Sequence, residues 1–341
     1  MEIQQHTDSI FKGVQGIIEN AREKAAVFLN AETTLLYWQI GNYINQQLIR
    51  ENRGEYGAKI IATLSQQLTI QYGKGYTYTA LTRMCKVSAI FHSEIIATVS
   101  QQLSWSHLIE LAAIENETKR NFFTQLCMYE RWGIRELRQK ANTMLFERTA
   151  IATKPEKTIK EALNNLVEEK ILIPELVFKN SYVLNFLNLP SNYSEEELET
   201  ALLNNLQQFI LELGSGFAFL ERQKRIPIDA VDYHLDLLFY HRKLKRLVAI
   251  DLKLGKFKPK HKSQMELYLR WLQKHEMQQG EEKPIGLLLC SEGNTEHIEL
   301  LMLDEKEIRV AQYLTELPSK EWFADKLHRA LEIAKMNASD K

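Results

Sequence analysis

Cysteine is scarce in this chain: Cys85, Cys127 and Cys290 are the only three in 341 residues. They lie far apart and form no C-x-x-C pair. That argues against a structural zinc site and a disulfide framework, and it suits a reducing compartment. An excess of one charge is lacking too. Against 43 Lys and Arg stand 44 Asp and Glu, a formal net charge of -1. No global field therefore advertises nucleic acid, and any such contact must come from a local patch. No apolar run approaches the roughly 20 residues of a membrane span. The opening stretch MEIQQHTDSIFK has no signal-type apolar core. The expected setting is cytoplasmic, with no membrane partner. Gly73-Lys74-Gly75 lacks the spacing of a phosphate-binding Walker loop, and the nine His show no H-E-x-x-H arrangement. Internal repeats and low-complexity tracts are absent.

What remains is an ordinary globular composition, 45% hydrophobic and 26% charged, in a chain long enough for two or three domains. The first part reads as an all-α bundle. Between residues 8 and 50, Ile17, Ile18, Ala21, Ala25, Phe28, Leu29, Leu35, Leu36, Trp38 and Ile40 recur at helical intervals, as one long helix or two. Gly54 and Gly57 interrupt the pattern. Further helices are expected over 57–71, from a Thr79 cap to about His92, from Trp105, and over 118–130 and 133–147. With the last go Arg131, Arg135, Arg138, Lys140 and Arg148. Two readings stand side by side: a helix-turn-helix DNA reader, with Arg135 and Arg138 on nucleic acid, or a packed bundle with a solvated basic face.

A weakly periodic region punctuated by Pro155 and Pro174 follows, and it reads as a connector. The expected domains are 1–150, a linker 151–181, and 182–341. In the last, Ser194 and Glu197 form a capping box for a helix with the apolar stripe Leu198, Leu202, Leu206, Phe209 and Leu213. Glu199 falls on the inward side of that helix. Three strands should follow, Phe217–Ile226, Tyr233–His241 and Leu247–Lys253. A crossover helix over 262–275, the apolar strand IGLLLC, a short strand near 308–311 and a final helix over 319–336 complete the order. On the second strand, strict alternation puts Tyr233, Leu235, Leu237 and Phe239 on one face. His234, Asp236, Leu238 and Tyr240 take the other.

The stretch Val248-Ala249-Ile250-Asp251-Leu252-Lys253 carries the chemistry. Asp251 and Lys253 share a face of a largely apolar strand, where charge is expensive to desolvate. Such a pair is either an ion pair at a strand end or a site for something charged, a divalent metal and a phosphate among the candidates. Asp236 and Asp251 on adjacent strands can clamp one Mg²⁺. Lys253 can orient a water or offset charge on an attacked phosphate, Glu199 can complete the outer shell or hold a second metal, and Gln264 can touch the water or the phosphate. Lys256 and Lys258, in the basic loop just after Lys253, are candidates for phosphate contact, as are Arg222 and Arg225 for the DNA backbone; a solvated surface is the alternative for all four.

The order Glu199, Asp236, Asp251-x-Lys253, Gln264 within an αβββαβ arrangement resembles the PD-(D/E)XK restriction-endonuclease-like superfamily. The segments YHLDLLFYHRKLKRLVAIDLKLGKFKP, QMELYL and PIGLLLC, with LLYWQIGNYI, QLSWSHLIEL and ERWGIRELRQKA upstream, are similar to bacterial proteins of the YhcG type. That resemblance covers nearly the whole chain. It implies a two-domain α+β protein, with an all-α N-terminal bundle and a C-terminal α/β restriction-endonuclease-like domain around a mixed sheet. It also implies Mg²⁺- or Mn²⁺-dependent cleavage of DNA, in a repair, restriction or mobile-element setting, as a homo-oligomer or within a larger complex. The metal carboxylate of the third strand is Asp251, where many relatives carry Glu; both occur in the superfamily. The alternative from another class is a non-catalytic DNA-binding or assembly subunit on a nuclease-like scaffold.

Overall fold

The computed structural model describes residues 2–50, 57–149, 156–190, 192–229, 231–292 and 307–316. The chain divides into two compact units, 1–140 and 141–341. The first is helical. It holds α1 (Glu2–Arg50), α2 (Gly57–Tyr72), α3 (Tyr78–Ile90), α4 (Ser93–Val99), α5 (Trp105–Ala112), α6 (Glu117–Glu130) and most of α7 (Ile134–Asn142). The expected one-or-two helices before residue 50 are one. Thr77 rather than Thr79 caps α3, its hydroxyl accepting from the Ala80 amide. Gly41 lets α1 approach α3 so closely that a Cβ there would fall on the Met84 carbonyl. Beside it Asn45 Nδ2 donates to Cys85 O at 2.8 Å and Ser88 Oγ at 2.9 Å, and Trp38 Nε1 donates to Phe91 O at 2.6 Å.

The single helix expected over 133–147 is two, because Met144 turns left-handed (φ 55°) between α7 and α8 (Leu145–Arg148). Arg148 is not part of a basic face. It is 2% exposed, ion-paired with Glu212, and donates to Ser181 O at 3.2 Å. Burial lowers its pKa to about 10, so it stays charged at neutral pH.

The second unit continues with α9 (Glu156–Glu168), α10 (Pro174–Val177), β1 (Ser181–Val183), α11 (Glu195–Asn204), α12 (Leu206–Leu213), β2 (Phe217–Ile228), β3 (Val231–His241), β4 (Arg246–Lys253), α13 (Pro259–His275), β5 (Ile285–Cys290) and β6 (Ile308–Leu314). The sheet order is β1-β6-β5-β4-β3-β2. β2, β3 and β4 form an antiparallel meander; β4, β5, β6 and β1 run parallel. One sheet face packs Val248, Ile250, Leu252, Leu287 and Leu289 against Leu198, Leu202, Phe209 and Leu213 of α11 and α12. The other packs Leu247, Ala249 and Leu288 against Met265, Tyr268, Leu269 and Leu272 of α13. The mixed sheet thus lies between two helical layers, and β4 sits inside it with six successive residues buried.

Three expectations need correction. The helix from Ser194 is broken at Asn205, whose side chain bonds back to Ala201 O at 2.9 Å while its backbone leaves the helical region. The end of the supposed linker 151–181 packs into the core: Leu176 and Phe178 are buried, and β1, which starts at Ser181, extends the sheet beside β6. Strict alternation fails along β3. Tyr233 and Leu235 pack in the same cluster as Leu238 and Tyr240, so the facing switches at Asp236. The switch lies opposite an irregular stretch of the neighbouring strand, where β2 shifts register between Phe219 and Glu221 and Gln223 adopts φ 46°. The helix expected over 319–336 lies outside the described residues.

Candidate active site

The backbone ladder between β3 and β4 runs from His241↔Arg246 to Leu237↔Ile250 and then stops. One residue on, a side chain takes over: Asp236 Oδ2 accepts the Leu252 amide at 2.7 Å. Two more amides at the end of β4 are also held by side chains. Leu254 N donates to Glu195 Oε1 at 2.8 Å, and Gly255 N donates to Ser291 Oγ at 2.6 Å. Three elements thereby grip the end of β4, and two of them bring Asp236 and Glu195 to bear on Lys253.

Lys253 Nζ lies 2.8 Å from Asp251 Oδ2, with Asp251 2% and Lys253 14% exposed. The buried Oδ2 thus faces the ammonium directly, and Asp236 lies close by. Burial pushes the Asp251 carboxyl up to about 7. Asp236, near enough to share a proton, pushes the same way, and Lys253 opposes both. For Lys253, burial works against the ammonium, but Asp251, Asp236 and Glu195 outweigh it and hold its pKa above the ordinary value.

Glu199 is joined to this group through Gln223, whose Nε2 donates to Glu199 Oε2 at 2.7 Å and Asp236 Oδ1 at 3.3 Å. Burial raises the Glu199 carboxyl, the Gln223 bond lowers it and Asp236 raises it again. Gln264 is turned to the hydroxyl of Tyr268, which itself donates to His234 O at 3.2 Å. Tyr268 is raised by burial and feels Asp251, Lys253 and Asp236, so this pair borders the acids rather than joining them.

Of the residues proposed for nucleic acid, Lys256 and Lys258 are exposed on the loop after β4, and Arg222 is exposed near Glu199. Lys258 and Lys260 also act on His261, whose pKa is lowered first by burial, then by Lys253 and those lysines. Arg225 is tied to Asp232 at 3.0 Å. In the helical unit Arg135 is exposed, whereas Arg138 is paired with Glu110 at 2.6 Å. Sequence reasoning missed Gln223, Glu195 and Ser291 as parts of this arrangement. Glu195 had one signal, its place beside the apolar stripe of α11; the other two had none.

Among the described residues, no three His, Cys, Asp or Glu side chains gather closely enough to hold a metal by themselves. A small hard cation does not require three, because Mg²⁺ is usually bound by one or two carboxylates together with waters and substrate phosphates. Two adjacent carboxylates, one of them buried, fit that donor chemistry.

The fold and the D-x-K strand end place the second unit in the PDDEXK nuclease class, of restriction-endonuclease-like architecture, and residues 175–331 match the YhcG PDDEXK nuclease domain. Residues 13–148 match the DUF1016 N-terminal domain. The chain is 31% identical to YhcG of Escherichia coli (strain K12) over 357 aligned positions, which cover 95% of this chain and 94% of that protein. It belongs to the YhcG family. Two solved structures are locally similar. A repair endonuclease from Pyrococcus abyssi is 25% identical over 38% of this chain and 50% of its own, with a TM-score of 0.26. An EndoMS complex with double-stranded DNA is 21% identical over 39% of this chain and 48% of its own, with a TM-score of 0.27. The chain thus spans about half of each.

Proposed function

We propose that this protein is a divalent-metal-dependent DNA endonuclease, with its reaction centre at the end of β4. The observation that carries the reading is the pairing of Asp251 with both Asp236 and Lys253, buried where the β3–β4 ladder opens. Asp236 and Asp251 would hold the ion, Mg²⁺ or Mn²⁺. When bound, it would supply Lewis-acid polarisation of the phosphate and a more acidic water. This chain's own residues do the rest. Lys253, fixed against Asp251, offsets negative charge that grows on the attacked phosphate. Glu199 adds a second acid beside Asp236. Gln264 and Tyr268 line the edge of the site. Lys256, Lys258 and Arg222 offer exposed positive charge to the DNA backbone; Arg225 and Arg138 are less suited, since each already has a carboxylate partner.

The second reading, a non-catalytic DNA-binding or assembly subunit, is favoured by the lack of a three-ligand cluster among the described residues. A panel of linear, nicked, branched and single-stranded DNA, incubated with Mg²⁺ or Mn²⁺ and with chelator, separates the two. The nuclease reading expects cleavage that chelator stops. Binding that survives chelation, with no cleavage of any substrate, would establish the other. Charge reversal at Arg135 should leave the salt dependence of binding lower if the helical unit contributes phosphate contacts.

A further inference from the structure

Gln223 stands on the edge strand β2, where no sequence pattern announces a functional side chain. Its neighbours Arg222 and Lys224 pair with Leu237 and Leu235, so Gln223 lies opposite Asp236. Its φ of 46° is in the left-handed region, which side chains other than Gly, Asn and Asp seldom adopt and which is rare within a strand. The side chain is exposed, so it fills no core space. Both of its hydrogen bonds go to acids of the candidate site: Nε2 donates to Glu199 Oε2 at 2.7 Å and to Asp236 Oδ1 at 3.3 Å. One amide nitrogen thus bridges two carboxylates from different elements that repel each other.

We propose that Gln223 is a positioning residue: its amide tethers Glu199 to Asp236 and so keeps Glu199 beside one of the two carboxylates that would hold a divalent cation. This rests on the nuclease reading above. Without the amide, like-charge repulsion drives Glu199 away from Asp236, and the exposed Arg222 on the same strand is there to attract it. A backbone bend at a surface glutamine is then intelligible. It aims a neutral donor between two negative groups, which an Arg or Lys could do only by competing with the cation.

Mn²⁺ calorimetry on the full chain tests this without any substrate. Q223N is the first variant, since Asn tolerates the left-handed backbone but is one methylene too short to span both acids. Its melting temperature should match or exceed that of the unaltered protein, while Mn²⁺ affinity falls on the order of tenfold, as for other groups that orient ligands. E199Q should weaken binding to a similar degree. The double variant Q223N/E199Q should bind no more weakly than E199Q alone, because the tether acts only through Glu199. Additive losses, or Q223N binding Mn²⁺ as tightly as the unaltered protein, would overturn the proposal while leaving the nuclease reading intact. An unaltered protein that binds no Mn²⁺ would remove both.

Discussion

Asp251 is a carboxylate in the wrong place for stability, and that can be measured. Its folded pKa of about 7 lies above its ordinary value of 3.8. Between roughly pH 4 and 7 the native state therefore binds more protons than the unfolded chain, and stability falls as pH rises through that window. Above pH 7 the penalty is fully present. Asp251→Asn should therefore stabilise the metal-free protein at pH 8, by about 1–3 kcal/mol once the lost Lys253 pairing is allowed for, and should leave it little changed at pH 4. Denaturant unfolding at the two pH values checks this; equal effects at both would mean that Asp251 is not the group titrating. Metal binding should displace a proton below pH 7, so Mn²⁺ affinity should rise with pH up to about 7 and then level off. Lys253→Ala should lower turnover by about 10²–10³-fold with Mn²⁺ affinity nearly unchanged, since an ammonium is no ligand but offsets charge in the transition state. Parallel calorimetry and cleavage rates separate those effects. Asp251 and Lys253 were legible in the sequence because a buried strand has period two and the run VAIDLK leaves its charged residues conspicuous. Gln223 and Ser291 were not, because their roles depend on meeting side chains and amides dozens of residues away. Gln264 was legible by position, yet its hydrogen bond goes to Tyr268.

Among the elements, β5 could be read almost as it stands, since the unbroken IGLLLC run is a local pattern. β1 could not. Three residues show no period, and Ser181–Val183 becomes a strand only because β6 lies beside it. The facing of β3 was half legible, since its reversal at Asp236 goes with irregularities on β2 that the β3 sequence does not show. In the helical unit the α1–α3 contact is set by Gly41. Gly41→Ala should destabilise that unit by about 2 kcal/mol or more, because the new methyl meets the backbone of Met84, which cannot rotate aside. Gly286→Ala should be milder, because its Cβ meets the flexible side chain of Met265. Thermal unfolding of both variants checks the order; a neutral Gly41→Ala would contradict the close packing.

At the scale of the whole molecule, the nuclease unit begins earlier than composition suggests. The punctuation at Pro155 and Pro174 reads as a linker, but Arg148, bound to Ser181 O and Glu212, and the buried Phe178 and Tyr182 anchor the preceding segment to the sheet. Removing one partner of a buried pair costs about 3–5 kcal/mol. A fragment spanning 141–341 should therefore unfold cooperatively, whereas one starting at 182 should lose most of that stability. Equal denaturation midpoints for the two fragments would restore the linker reading. The central claim is that the end of β4 is a reaction centre, and DNA cleavage by Asp251→Asn in Mg²⁺ or Mn²⁺, beside the unaltered protein, tests it most directly. A loss of at least about 10³-fold in an otherwise folded protein is expected, because the variant removes a charged ligand from a cation that takes few. Undiminished cleavage by Asp251→Asn would show that this buried acid is structural and that the chemistry lies elsewhere.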